Sequence, residues 1–204
     1  MKYKWLNKVN NDDLIVFFNG WGMDESVVSH LDFANHDLLM FYNYNSIETD
    51  FPFYELDKYS TKTLVAWSMG VMTASLFDIN YDYKVAINGT LKPIDNMYGI
   101  PVRIYDLTEK NFCPKSRDIF VKNMFNGNFH KIDIQRNFEE QKTELIALKK
   151  YIANYEFKYD KILISENDNI IPTKNQVRFW GLNPNINGGH APFFQYKQWE
   201  DLLC

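Results

Sequence analysis

Five short runs of apolar residues, each closed by a turn signal, constrain the fold of this chain more than any other feature. Residues 14–18 (LIVFF) close at Asn19-Gly20, 38–42 (LLMFY) at Asn43, and 63–67 (TLVAW) at Ser68. Residues 85–87 (VAI) close at Asn88-Gly89, and 161–165 (KILIS) at Glu166-Asn167-Asp168. A strand with one face in water alternates apolar and polar residues. A strand that is apolar throughout is covered on both faces, as in a parallel sheet between two layers of helix. Helical patterns lie between the runs. Asp24 is placed to cap a segment carrying Val27, Val28 and Leu31 on one face, and residues 69–77 follow Ser68 directly. Strands alternating with helices predict an α/β fold, a mostly parallel central sheet flanked by helices.

The pattern breaks once. Residues 110–158 lack a strong strand signal, whereas 116–125 and 137–154 read as helices. Asn137 with Glu140 has the spacing of a capping box, and Leu145, Leu148 and Ile152 recur at helical intervals. A length of 204 residues suits one domain, so the expected organisation is a single domain over 1–204 with a helical insertion at about 110–158.

Composition excludes several classes. A net charge of −4 gives no whole-chain footprint for nucleic acid. No apolar run approaches the roughly 18 residues of a membrane span, and the opening MKYKW leads into polar residues, unlike the apolar core of a signal peptide. Cys113 and Cys204 make neither a disulfide framework nor a metal cluster. The expectation is a cytoplasmic monomer that binds neither nucleic acid nor membrane.

In an open parallel sheet, ligands bind beyond the carboxyl ends of the strands. The residues there are Asn19-Gly20-Trp21-Gly22, Ser68-Met69-Gly70, Asp168-Asn169-Ile170-Ile171-Pro172 and, near the C-terminus, Gly188-Gly189-His190-Ala191-Pro192-Phe193. Serine, aspartate and histidine follow in the chain order of hydrolase-fold triads. A serine hydroxyl needs a base to become a nucleophile, and the histidine needs a carboxylate to fix its tautomer and stabilise its cation. Ala66-Trp67-Ser68-Met69-Gly70 fits a strand–turn–helix elbow, with Ala66 in place of the first glycine of G-x-S-x-G. Two N–H groups must face the developing oxyanion. The candidates are Met69, next to Ser68, and Trp21, in a loop loosened by Gly20 and Gly22. Two aspartates compete for the acid role, Asp168 and Asp95, and Asp168 is favoured because it follows a late strand and precedes the histidine loop. Taken alone, Ser68 would equally suit a helix N-cap. His30, His36 and His130 read as surface or structural, and Cys113 as a packed thiol.

Together, these four loops resemble the α/β-hydrolases that demethylate pimeloyl-acyl-carrier-protein methyl ester in biotin synthesis. The BioG type is most similar, with Asn19 where the BioH type has histidine. The resemblance implies Ser68 as nucleophile, Asp168 as acid, His190 as base, and Trp21 and Met69 as oxyanion donors and substrate-binding residues. It implies no metal or other cofactor. The expected activity is a serine carboxylesterase acting on a carrier-linked methyl ester. Another esterase or thioesterase is the alternative on the same scaffold, and a non-catalytic binding protein is the alternative from another class. The insertion carries a net charge of +4 in a chain of −4, which suits an acidic acyl-carrier protein as partner. Phe120, Met124 and Phe125 are candidate contacts to the acyl chain, and Arg117, Lys122, Lys142, Lys149 and Lys150 candidate contacts to the carrier.

Overall fold

All five apolar runs become strands. The computed structural model describes residues 1–127 and 132–203 and contains a six-stranded sheet. Its strands are β1 (Lys2–Asn7), β2 (Asp13–Phe18), β3 (Asp37–Tyr42), β4 (Thr61–Trp67), β5 (Tyr83–Ile87) and β6 (Lys161–Leu163), in the order β1-β3-β2-β4-β5-β6. Every pairing is parallel except β1 with β3. Successive residues of one strand feed opposite cores. Val16 and Phe18 join Leu39, Phe41 and Leu64 on one side, and Ile15 and Phe17 join Leu38, Met40 and Val65 on the other. Burial on both faces is why these strands read as unbroken apolar runs.

The antiparallel edge strand β1 was not expected. Its pattern alternates, with Lys2 and Lys4 exposed and Tyr3 and Trp5 packed against the core. Outward lysines are a usual protection of an edge against further pairing. The segment after Asp24 forms a single 3-10 turn, Glu25–Val27, in place of a full helix. Asp24 still caps it, accepting from the Ser26 N–H at 3.1 Å, and Val27, Val28 and Leu31 are buried. Serine and β-branched residues in succession favour a short turn over a long helix.

After β4 comes α1 (Met69–Ala74). Between β5 and β6 the chain leaves the sheet for three helices, α2 (Val102–Lys110), α3 (Pro114–Met124) and α4 (Phe138–Leu148). Helical structure therefore starts at Val102, before the expected boundary near 110. Asn137 caps α4, accepting from the N–H groups of Glu139 and Glu140. The Glu140 carboxylate does not close a capping box but receives Lys2 and Asn43. The helix also ends at Leu148, six residues before the expected 154. The Asn154 N–H is taken by Ser75 Oγ and the Tyr151 hydroxyl by the Tyr44 carbonyl, so tertiary bonds replace the next helical turn. Ile152, expected on the apolar face, is 78% exposed. The chain then returns through β6 to α5 (Thr173–Trp180) and α6 (Glu200–Leu203). Among the described residues, no helix is long and apolar enough to cross a membrane.

Candidate active site

Ser68 occupies the sharp turn between β4 and α1, with φ 58° and ψ −122°. Such a backbone costs a non-glycine residue about 1–3 kcal/mol and persists only where its surroundings hold it. Here the Ser68 N–H donates to the Ile87 carbonyl at 3.0 Å, and the Ser68 carbonyl accepts from Val71 at 3.1 Å. Gly70 lets the turn sit against the end of β2, because a Cβ there would lie 2.2 Å from the Phe18 carbonyl oxygen. Ala66, where the elbow pattern has its first glycine, pairs with Phe18 and Ala86 inside the sheet. Gly70→Ala is therefore expected to destabilise the fold by about 3 kcal/mol, the upper range for overpacking, visible as a lowered Tm. An unchanged Tm would refute this account of the elbow.

Ser68, His190 and Asp168 are all buried and lie in one hydrogen-bonded chain. His190 Nε2 is 2.8 Å from Ser68 Oγ, and His190 Nδ1 is 2.7 Å from Asp168 Oδ2. A carboxylate only accepts, so Nδ1 carries the ring proton and Nε2 is left to accept from the serine hydroxyl. Asp168 is held in turn. Its Oδ1 accepts from the N–H groups of Ile170 (2.8 Å) and Ile171 (3.0 Å), and its Oδ2 also accepts from Gln176 Nε2 on α5 at 2.8 Å. Asp95 does not join this chain. Its carboxylate accepts from the N–H groups of Met97 and Tyr98 in a separate turn.

Sequence reasoning missed the groups that hold the histidine loop. The Trp67 indole N–H donates to the His190 carbonyl at 2.8 Å, and Asn88 Nδ2 donates to the same carbonyl at 3.0 Å and to the Gly189 carbonyl at 3.1 Å. The position of Asn88 at the carboxyl end of an apolar run was the available signal. Of the other histidines, His30 stacks on Phe194 and His36 meets Glu200 at 3.1 Å. His130 and Cys204 lie outside the described residues. Cys113 is exposed at the start of α3 and is not the packed thiol expected.

The oxyanion candidates flank the serine. The N–H groups of Met69 and Trp21 have no acceptor among the described residues. Asn19 shapes the Trp21 loop, its Oδ1 accepting from the Gly20 N–H and its Nδ2 donating to the Asp24 carbonyl. Gly22 takes φ +73°, a left-handed conformation that glycine adopts without steric cost. Ser68, Met69, Trp21 and His190 line a cavity of about 310 Å³. Ile104 and Leu107 of α2 and Ile119 and Phe120 of α3 also line it, and the Trp21 ring meets Phe120 edge-on at 4.9 Å. Met124 is a lining residue as well. Phe125 is not among the described lining residues and packs edge-on against Phe194.

A serine at a strand–helix elbow, linked through histidine to a carboxylate at the carboxyl edge of a parallel sheet, defines an α/β-hydrolase with the apparatus of a serine hydrolase. The family profile described as "Pimeloyl-ACP methyl esterase BioG" matches residues 1–202, and the chain belongs to that family. A malonyl-[acyl-carrier protein] O-methyltransferase of Bacteroides fragilis is 39% identical over 180 residues. The match takes in 82% of this chain and 36% of that protein, so the chain spans about a third of that relative's length. The crystal structure of BioG from Haemophilus influenzae superposes with a TM-score of 0.88 at 31% identity, covering 99% of each chain. A putative aryl esterase from Burkholderia cenocepacia, at 15% identity and a TM-score of 0.64 over 95% of this chain and 88% of its own, shares the fold.

Proposed function

We propose that this protein is a serine carboxylesterase that hydrolyses the methyl ester of a pimeloyl chain carried on acyl-carrier protein. Ser68 Oγ attacks the ester carbonyl as His190 Nε2 takes its proton. The oxyanion receives the N–H groups of Met69 and Trp21. Collapse of the tetrahedral intermediate expels methanol, protonated by His190, and leaves the acyl group on Ser68. Water, deprotonated by His190, then attacks the acyl-enzyme, releasing the free carboxylate and restoring Ser68.

The carrying observation is that Ser68 opens into an apolar cavity rimmed by the exposed side chains of Ile104, Leu107 and Ile119. An extended acyl chain fits with its ester at Ser68 and its carrier outside α2 and α3. Each buried methylene contributes about 0.8 kcal/mol. We read residues 1–204 as one hydrolase domain whose insertion comprises α2, α3 and α4, acting as a cytoplasmic monomer. The decisive assay incubates the protein with methyl-pimeloyl carrier protein and follows the carrier's mass. Conversion to the carboxylic acid is expected, and release of the bare carrier would show a thioesterase in its place.

The carrier's docking face is read from charge. Lys149 is occupied within the insertion by Asp106 at 2.7 Å and Glu109 at 2.5 Å, and it is dropped from the candidates. On α3, Lys122 lies one turn from the rim residue Ile119, and Arg117, 4.0 Å from the exposed Asp118, lies two residues before it. Rim charges act mainly on association and partner choice. Reversing both to glutamate is therefore expected to raise KM for the carrier-linked ester several-fold while leaving a small free methyl ester almost unaffected. Equal loss on both substrates would point to a misfolded insertion, and no loss on either to a merely solvated face.

A further inference from the structure

A buried ion pair ties the insertion to the loop that carries Trp21. Glu144 on α4 is fully buried, and its Oε2 accepts from Arg136 Nη1 at 2.8 Å and from the Gly22 N–H at 3.3 Å. Its Oε1 accepts from the Tyr44 N–H at 2.8 Å. Burial pushes the Glu144 carboxyl above its ordinary range, and Arg136 opposes that shift. Gln141, one turn earlier on the same helix face, completes the clamp. Its side-chain Nε2 donates to the Gly22 carbonyl at 2.7 Å, and its backbone carbonyl accepts from the Trp21 indole N–H at 2.8 Å.

Desolvating a carboxylate and a guanidinium is costly, and apolar residues of similar volume would pack a helix against a loop at least as well. What apolar residues cannot do is accept from backbone N–H groups. Glu144 accepts from two, one beyond β2 and one beyond β3. The peptides on both sides of Gly22 are then fixed from α4, while the Gly20 N–H is fixed by the Asn19 side chain. Between these anchors lies the Trp21 N–H, which has no acceptor among the described residues.

We infer that Glu144, compensated by Arg136, is a positioning residue for the oxyanion hole: it holds the Gly20–Gly22 loop so that the Trp21 N–H stays aimed at the reacting carbonyl. On this view α4 is a fixed wall of the active site. The inference rests on the reading of Trp21 as an oxyanion donor. Wild-type hydrolysis of a small chromogenic ester tests the esterase reading, and the variants test the clamp.

Two variants separate positioning from packing. Glu144→Leu with Arg136→Met removes both charges while keeping the volume, so the protein should still fold, with Tm lowered because the Gly22 and Tyr44 N–H groups lose their acceptor. A misaimed donor should lower kcat on the small ester by about 10²-fold, the scale of an ångström-sized misplacement, with KM little changed. Binding of a trifluoromethyl ketone, which forms an oxyanion on Ser68, should weaken by the same factor as kcat/KM. Glu144→Gln keeps one acceptor for two backbone donors and should fall between this variant and wild type. If the folded double variant keeps wild-type kcat, the pair serves stability alone and the inference is overturned. A rise in KM with kcat intact would overturn it equally, by assigning the pair to pocket shape. Should the double variant fail to fold, the split between kcat and KM in Glu144→Gln decides.

Discussion

Replacing Ser68 by alanine is expected to lower kcat on any ester substrate by at least about 10⁴-fold, the scale seen when a triad nucleophile is removed, with no loss of Tm. The structure separates this outcome from a helix-capping role. Ser68 precedes α1, but its side chain makes no capping hydrogen bond there. Its hydroxyl is instead 2.8 Å from His190 Nε2. Among the described residues alanine removes that bond and no other, while the turn is held by backbone contacts from Ile87 and Val71. Labelling by a fluorophosphonate should disappear with turnover. A folded Ser68→Ala protein with near-normal turnover would remove Ser68 from the mechanism, and a large drop in Tm would restore the capping role.

The sheet was legible because its strands are buried on both faces. A run such as LIVFF is too short to span a membrane and has little alternative to a strand covered on both faces, and its end marks the edge where ligands bind. The edge strand β1 was hidden because the exposed Lys2 and Lys4 make its alternation look like a polar leader. Helix α2 was hidden for a related reason. Ile104 and Leu107 face a cavity and solvent rather than a packed core, so charged residues intersperse freely among them. Ser68 and Asp168 each followed an apolar run, and His190 stood beside a glycine pair after the aspartate, so a single residue type in the right loop sufficed to propose a role. Their supports were harder to read: Asn88 also stood at a strand end, but nothing in the sequence named its partner. Asn88 lies 102 residues before the His190 carbonyl it holds, and Gly22 lies 122 residues before Glu144. A lone asparagine after a strand reads as a turn, and a lone glutamate in an amphipathic helix reads as a solvated face. Only the folded chain shows that these polar groups are buried and paired.

Asp168→Asn is expected to cost between about 10² and 10⁴ in kcat, because the surrounding hydrogen bonds dictate how the new amide must sit. Asp168 Oδ1 accepts from two backbone N–H groups, Ile170 and Ile171, which cannot turn away. The asparagine carbonyl oxygen is therefore held in that position and the NH₂ placed where Oδ2 was, facing His190 Nδ1. To accept from it, Nδ1 must give up its proton, and the neutral ring then carries its hydrogen on Nε2, pointing at Ser68. The base is lost while the geometry is kept. The NH₂ would also confront Gln176 Nε2, which now donates to Oδ2. Gln176 cannot simply flip, because the same Nε2 donates to the Ile171 carbonyl at 2.8 Å. Asp168→Asn should thus lose some Tm along with most of its turnover, whereas Asp95→Asn, at a turn apart from the triad, should leave turnover near wild type. Nδ1 and Nε2 proton resonances of His190 would report the tautomer directly. If Asp95→Asn is the more damaging change, the acid has been misassigned; if His190 in Asp168→Asn still carries its proton on Nδ1, the loss of rate needs another cause.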